Sequence, residues 1–116
     1  MDNEKIFAMS FAKVYPLLIA KAERKGRTRD EVLKVTAWLT GYAQGEIEAL
    51  LESDTTYGDF FRKAPAMNPH RALIKGSVCG VKVELVEDPL MRDIRYLDKL
   101  VDELARGKPL EKILRR

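Results

Sequence analysis

One cysteine, Cys79, and one histidine, His70, stand in a chain of 116 residues. A lone thiol closes no internal disulfide and fits a reducing compartment. One histidine with one cysteine also makes a poor zinc site, because zinc takes four protein ligands or three with water. Neither a metal nor another cofactor is therefore expected. Long apolar runs are missing as well: the longest candidate, Val14 to Ala20, falls far short of the roughly 18 residues that cross a bilayer. The opening Met1-Asp2-Asn3-Glu4-Lys5 lacks the basic flank of a secretory signal. Together these absences lead us to expect a cytoplasmic protein without a membrane partner. No glycine-rich phosphate loop and no Ser/His/Asp set is visible either, so no catalytic residue is assigned.

The chain is the size of one ordinary domain and can bury roughly two thirds of the surface its unfolded form exposes. We read residues 1–116 as a single helical domain. The net charge of +3 is mild, well below that of a dedicated nucleic-acid tail. Its distribution is uneven. From Gly41 to Phe61 every charged side chain is acidic, and from Arg62 to Lys82 every one is basic. The simplest account is a set of solvated faces whose charges meet across the fold.

One local pattern occurs twice: Lys25-Gly26-Arg27-Thr28-Arg29-Asp30-Glu31-Val32-Leu33-Lys34 and Arg106-Gly107-Lys108-Pro109-Leu110-Glu111-Lys112-Ile113-Leu114-Arg115. Each copy reads as helix, stop, helix, because glycine accepts the left-handed backbone that ends a helix while Thr28 caps, and Pro109 opens, the next. Thr28 and Glu31 form a capping box. Between these corners Val32, Val35 and Leu39 make one apolar stripe with Trp38 and Tyr42 beside it, and Gly41 breaks it. Ahead of them Phe11, Val14, Leu18 and Ala22 recur at helical spacing, with Pro16 predicting a kink near Tyr15 or a helix that begins there. Thr56 with Asp59 and Asn68 with Pro69 each restart a short helix, the second about two turns long. Val81, Val83 and Leu85 alternate with Lys82, Glu84 and Val86 as one strand, to be partnered by Lys5 to Ala8 or by a second copy of itself, which leaves a homodimer open. Asp88-Pro89 opens the longest helix, with Leu90, Ile94, Leu97, Val101 and Leu104 as its seam. The expected fold is mainly α, a compact bundle of five to seven short helices with helix-turn-helix-like corners and one short strand or hairpin.

The order of these signatures resembles an uncharacterised bacterial family, domain of unknown function 2200, over nearly the whole chain. Phe11-Ala12-Lys13-Val14-Tyr15-Pro16-Leu17-Leu18, Trp38-Leu39-Thr40-Gly41-Tyr42, Phe60-Phe61 with Ala64-Pro65, Met67-Asn68-Pro69, Leu73-Ile74-Lys75-Gly76, Cys79-Gly80-Val81 and Asp88-Pro89-Leu90-Met91 with Ile94-Arg95-Tyr96-Leu97-Asp98-Lys99 carry the likeness. The resemblance implies a small helical protein with no established activity, and it brings no catalytic residue with it.

Three constellations bear on function. Ala37, Gly41, Ile47 and Leu50 have the small, glycine and apolar spacing of a helix-turn-helix. The reading helix would offer Ala43, Gln44, Gly45, Glu48 and Ala49 with no arginine or lysine, and DNA phosphates would repel its carboxylates. The segment from Met67 to Cys79 is the favoured binding surface: Asn68 caps a helix start, His70 follows Pro69, and Arg71 and Lys75 add positive charge for an anion. Cys79 and His70 can in principle act as nucleophile and base, although Cys79 between Val78 and Gly80 reads as a buried, inert thiol. The ligand-binding set is thus Asn68, His70, Arg71, Lys75 and Cys79. A small cytosolic binding module for a protein or a small anionic ligand ranks first, a helix-turn-helix nucleic-acid binder second, and a thiol-dependent enzyme third.

Overall fold

Side-chain caps and left-handed glycines divide this chain. The computed structural model describes residues 3–115. In chain order it contains α1 (Asn3–Ala8), α2 (Phe11–Glu23), α3 (Arg29–Thr40), α4 (Gln44–Leu50), α5 (Tyr57–Arg62), a 3-10 turn (Pro69–Leu73), β1 (Ser77–Val78), β2 (Val81–Lys82), a second 3-10 turn (Val83–Leu85), α6 (Pro89–Ala105) and α7 (Leu110–Ile113). The fold is mainly α with one short antiparallel hairpin, in which Ser77 faces Lys82 and Val78 faces Val81.

The capping box at α3 is fully formed. Thr28 Oγ1 accepts from the Glu31 amide at 3.1 Å and Glu31 Oε1 accepts from the Thr28 amide at 3.1 Å. Arg27 donates Nε and Nη2 to the same carboxylate, the latter at 2.7 Å. These bonds, those from Arg27 foremost, hold the Glu31 carboxyl at about 2 against an ordinary 4.5. A carboxyl lowered on folding contributes stability above its ordinary value, and that contribution is lost as pH falls toward its folded one. Glu31 should therefore contribute fully at neutral pH and stop contributing between pH 4.5 and about 2. Thr28→Ala is expected to cost about 1 kcal/mol without changing the fold. An unchanged urea midpoint for this variant would remove the box from the account.

Asp88 caps α6 through a bond from the Met91 amide at 2.9 Å, with Pro89 at the first helical position. Ile94, Leu97, Leu100, Val101 and Leu104 are buried along α6, which lies against α2, α3, α5, α7 and the hairpin. Beside it Phe11, Tyr15, Tyr57 and Phe60 form a buried aromatic stack, with Phe11 and Phe60 ring centres 4.2 Å apart. Burial pushes the Tyr15 hydroxyl up to about 12. A bond to Thr36 Oγ1 at 2.7 Å satisfies it.

Several expectations are corrected. Pro16 neither starts nor divides α2, which runs unbroken from Phe11 to Glu23. The proline is exposed, so the bond it cannot make is missing on the side turned away from the core. The restart at Pro69 is a 3-10 turn rather than two turns of α-helix. The strand expected over Val81 to Leu85 stops at Lys82, because Val83–Leu85 winds into a 3-10 turn that buries Val83. Its partner is Ser77–Val78 of the same chain, and Lys5 to Ala8 is helical. Cys79 is exposed, not buried. With φ of 51° at Cys79 and 78° at Gly80, the two residues form the tight turn that joins right-twisted strands.

Gly41 ends α3 with φ of 80°. A Cβ there would lie 2.8 Å from Ala66, because the segment after α5 closes over this corner. The Ala66 amide donates to Thr40 O at 3.1 Å and the Asn68 amide to Leu39 O at 2.9 Å, which satisfies helix-end carbonyls that would otherwise lack partners.

Candidate functional site

A cleft of about 520 Å³ opens between the Pro69–Leu73 turn and the first half of α6, lined by Pro69, Arg71, Ala72, Lys75, Glu84, Pro89, Arg92, Asp93 and Tyr96. Three cations face two carboxylates there. Arg71 is fixed in place: its Nε donates to Asp93 Oδ1 at 3.0 Å and its Nη1 to the Asn68 carbonyl at 2.9 Å. Arg92 Nη1 donates to the Val86 carbonyl at 3.2 Å. Each guanidinium has five N–H donors, so both retain free ones. Lys75 is exposed and makes no side-chain hydrogen bond or close ion pair among the described residues.

The two carboxylates are tuned in opposite directions. Burial lifts the Asp93 carboxyl above its ordinary value despite the opposing charge of Arg71. Glu84 is lowered by hydrogen bonds from its own amide and that of Gly76, the second at 3.0 Å, with Lys75 and Lys82 adding to the effect. At neutral pH Glu84 is occupied by the backbone and Asp93 by Arg71. The uncommitted positive charge is therefore that of Lys75, with the spare N–H groups of two arginines.

Of the five residues expected from the sequence, the structure brings Arg71 and Lys75 together on this cleft. Asn68 is used at both ends by the fold, its Oδ1 accepting from the His70 amide at 2.8 Å and its Nδ2 donating to the Trp38 carbonyl at 3.2 Å. His70 is exposed and outside the lining, and so is Cys79 at the hairpin tip. No hydrogen bond joins His70 to Cys79 among the described residues. Glu84, Arg92, Asp93 and Tyr96 were not expected. The only available signal was that Arg92, Asp93 and Tyr96 fall off the Ile94–Leu97–Val101 seam, and this does not tell where in the fold they meet Arg71.

The exposure of Cys79 reverses the reactivity anticipated for a buried thiol. A small alkylating reagent should modify it in the native protein at neutral pH at close to the rate of a free thiol, read by mass spectrometry against time. Modification that accelerates only on denaturation would contradict the exposed hairpin turn.

Gly41 also sets the helix-turn-helix-like corner. After it, α4 presents Glu46 and Glu48, the first accepting from the Ala43 amide at 2.8 Å and the second paired with Arg29 at 2.7 Å. Among the described residues no helix is long and apolar enough to cross a membrane, and no group of three or more His, Cys, Asp or Glu is placed to hold a metal ion.

Comparison with known proteins agrees with this architecture. A solved structure titled "Crystal structure of uncharacterized protein SP1917" superposes with a TM-score of 0.93 at 53% sequence identity, covering 98% of this chain and 93% of that one. Among curated proteins none matches. The sequence profile of a family described as "Uncharacterized protein conserved in bacteria (DUF2200)" matches residues 5–115. With nearly its whole length inside that profile, the chain belongs to the DUF2200 family.

Proposed function

We propose that this protein is a small cytoplasmic binding module that takes a small anionic ligand in the cleft between the Pro69–Leu73 turn and α6. The observation that carries the reading is the convergence of Arg71, Lys75 and Arg92 on one cleft of about 520 Å³. Concavity favours a small molecule over a flat protein partner. Arg71 is fixed by Asp93 and Asn68, so little side-chain freedom remains to be lost on binding. The exposed free thiol of Cys79 fits the reducing cytoplasm.

Inorganic phosphate serves as the probe, followed by amide chemical shifts. The expected result is shifts at Arg71, Lys75 and Arg92 that saturate in the millimolar range and weaken with added salt. Lys75→Ala should reduce the affinity about threefold to tenfold, the loss of one partly screened charge contact. Unmoved resonances at these three positions, or saturation unaffected by Lys75→Ala, would dismiss this cleft as the ligand site.

A further inference from the structure

The two copies of the repeated corner lie side by side. Arg27, in the first copy, donates Nη1 to the Leu104 carbonyl at 3.0 Å and to the Lys108 carbonyl at 2.8 Å, both flanking Gly107 of the second. Around this junction, where α2 and α6 end together, a second cleft of about 670 Å³ is lined by Lys21, Arg24, Lys25, Asp102, Ala105 and Arg106. Four cations thus face one carboxylate, a far larger excess than in the cleft beside Arg71.

That carboxylate is already committed. Asp102 is buried and pairs with Lys21 at 3.3 Å, Arg106 at 2.8 Å and Lys99 at 3.9 Å. Arg24 and Lys25 are exposed and have no partner among the described residues. Glu23, their neighbour in the chain, is not in the lining and acts electrostatically on Arg29 instead. Two helix C-termini place negative partial charge here, about half a unit each, and most of their last carbonyls are engaged. Ala20 and Glu23 accept from the Arg24 and Gly26 amides, Ala22 from those of Lys25 and Arg27, and Asp102, Glu103 and Leu104 from those of Arg106, Lys108 and Gly107. The Arg27 bonds hold the two corners together, and the excess of cations in the lining outweighs the roughly one negative unit of the two helix ends.

We infer that this second cleft, between the ends of α2 and α6, binds a small ligand carrying several linked phosphate groups. Lys21 and Arg106, paired with Asp102, line it, and the unpaired Arg24 and Lys25 supply the charge that meets the anion. Multiple charge is what distinguishes the ligand. A single phosphate gains little from a spread of cations over an open cleft, whereas linked phosphates contact several at once.

The test uses inorganic tripolyphosphate and the full chain in isothermal titration calorimetry. Arg24→Glu with Lys25→Glu is the informative variant, because neither residue holds the fold together. Its circular dichroism should be unchanged while affinity falls by about tenfold or more. Lys75→Glu, on the other cleft, should leave the tighter phase of tripolyphosphate binding, the one that depends on Arg24 and Lys25, within about twofold of the parent and weaken only the phase that belongs to the proposed function, which separates the two sites. Equal binding by the parent and the Arg24→Glu, Lys25→Glu protein, or no binding by the parent at moderate salt, would overturn the inference and leave these cations as partners of the helix ends. A third arm adds single-stranded DNA. Much tighter binding of DNA through the same two residues would overturn it too, in favour of a nucleic-acid surface.

Discussion

Phe11→Ala is expected to lower the stability of the folded chain by about 3 to 5 kcal/mol, the range for removing a buried aromatic side chain. Phe11 is completely buried at the start of α2, with the rings of Phe60 at 4.2 Å, Tyr15 at 4.9 Å and Tyr57 at 6.3 Å stacked around it. Each such aromatic pair adds about 0.5 to 1.5 kcal/mol beyond its buried area. The surroundings cannot easily collapse into the space. The Phe11 amide is bonded to Thr55 O and the Tyr57 amide to Met9 O, so the backbone on both sides is fixed. Set against a total stability of about 5 to 15 kcal/mol for an ordinary domain, a loss of this size leaves a marginal protein. The measurement is a shift of the urea midpoint at constant slope. A loss below about 1 kcal/mol would mean that the stack is not the core of this half of the molecule.

The second large effect is expected at the opposite end. Arg115 holds Glu103 with two bonds at 2.6 and 2.7 Å, and the Glu103 side chain is only 7% exposed. Arg115→Met should cost about 3 kcal/mol, the low end of the range for stranding a buried charge, because Lys108 remains 3.5 Å from the carboxylate. The double variant Glu103→Leu, Arg115→Met should recover much of the loss, since replacing both members of a buried pair with apolar side chains is often close to neutral. The coupling between the two sites is read from the double-mutant cycle in urea. Purely additive losses would show that the pair makes no joint contribution.

Helix starts and stops were legible because their cause is local. Thr28, Asp88 and Gly41 act on backbone groups within a few residues, so their roles follow from spacing alone. What failed depended on contacts that spacing does not report. Val81 to Leu85 alternates like a strand, yet after the Val83 amide has bonded across the hairpin to Gly76 O, the Val86 amide turns back to Val83 O at 3.3 Å and the segment winds there. Cys79 was placed in the core because its neighbours are apolar, but with Gly80 it forms the turn itself, and the turn lifts it into solvent. For the cleft, Arg71 and Lys75 could be identified from the basic run that contains them. Arg92 and Asp93 could not, because they reach the same place from another element. The basic junction of the two corners was missed although both corners were read. The repeat was visible in the sequence, but nothing in it says that one copy lies against the other.

Arg27 closes a loop. Its bonds to the Leu104 and Lys108 carbonyls join positions 77 and 81 residues apart, a long-range closure of the kind that secreted proteins make with a disulfide. This chain has one cysteine and cannot make such a bridge. A disulfide persists when the chain unfolds and stabilises largely by restricting the unfolded ensemble. A guanidinium staple opens with unfolding and leaves that ensemble at full entropy, so all of its contribution lies in the native state. The closure is accordingly indifferent to reducing agents, and it reforms at every refolding without an oxidant.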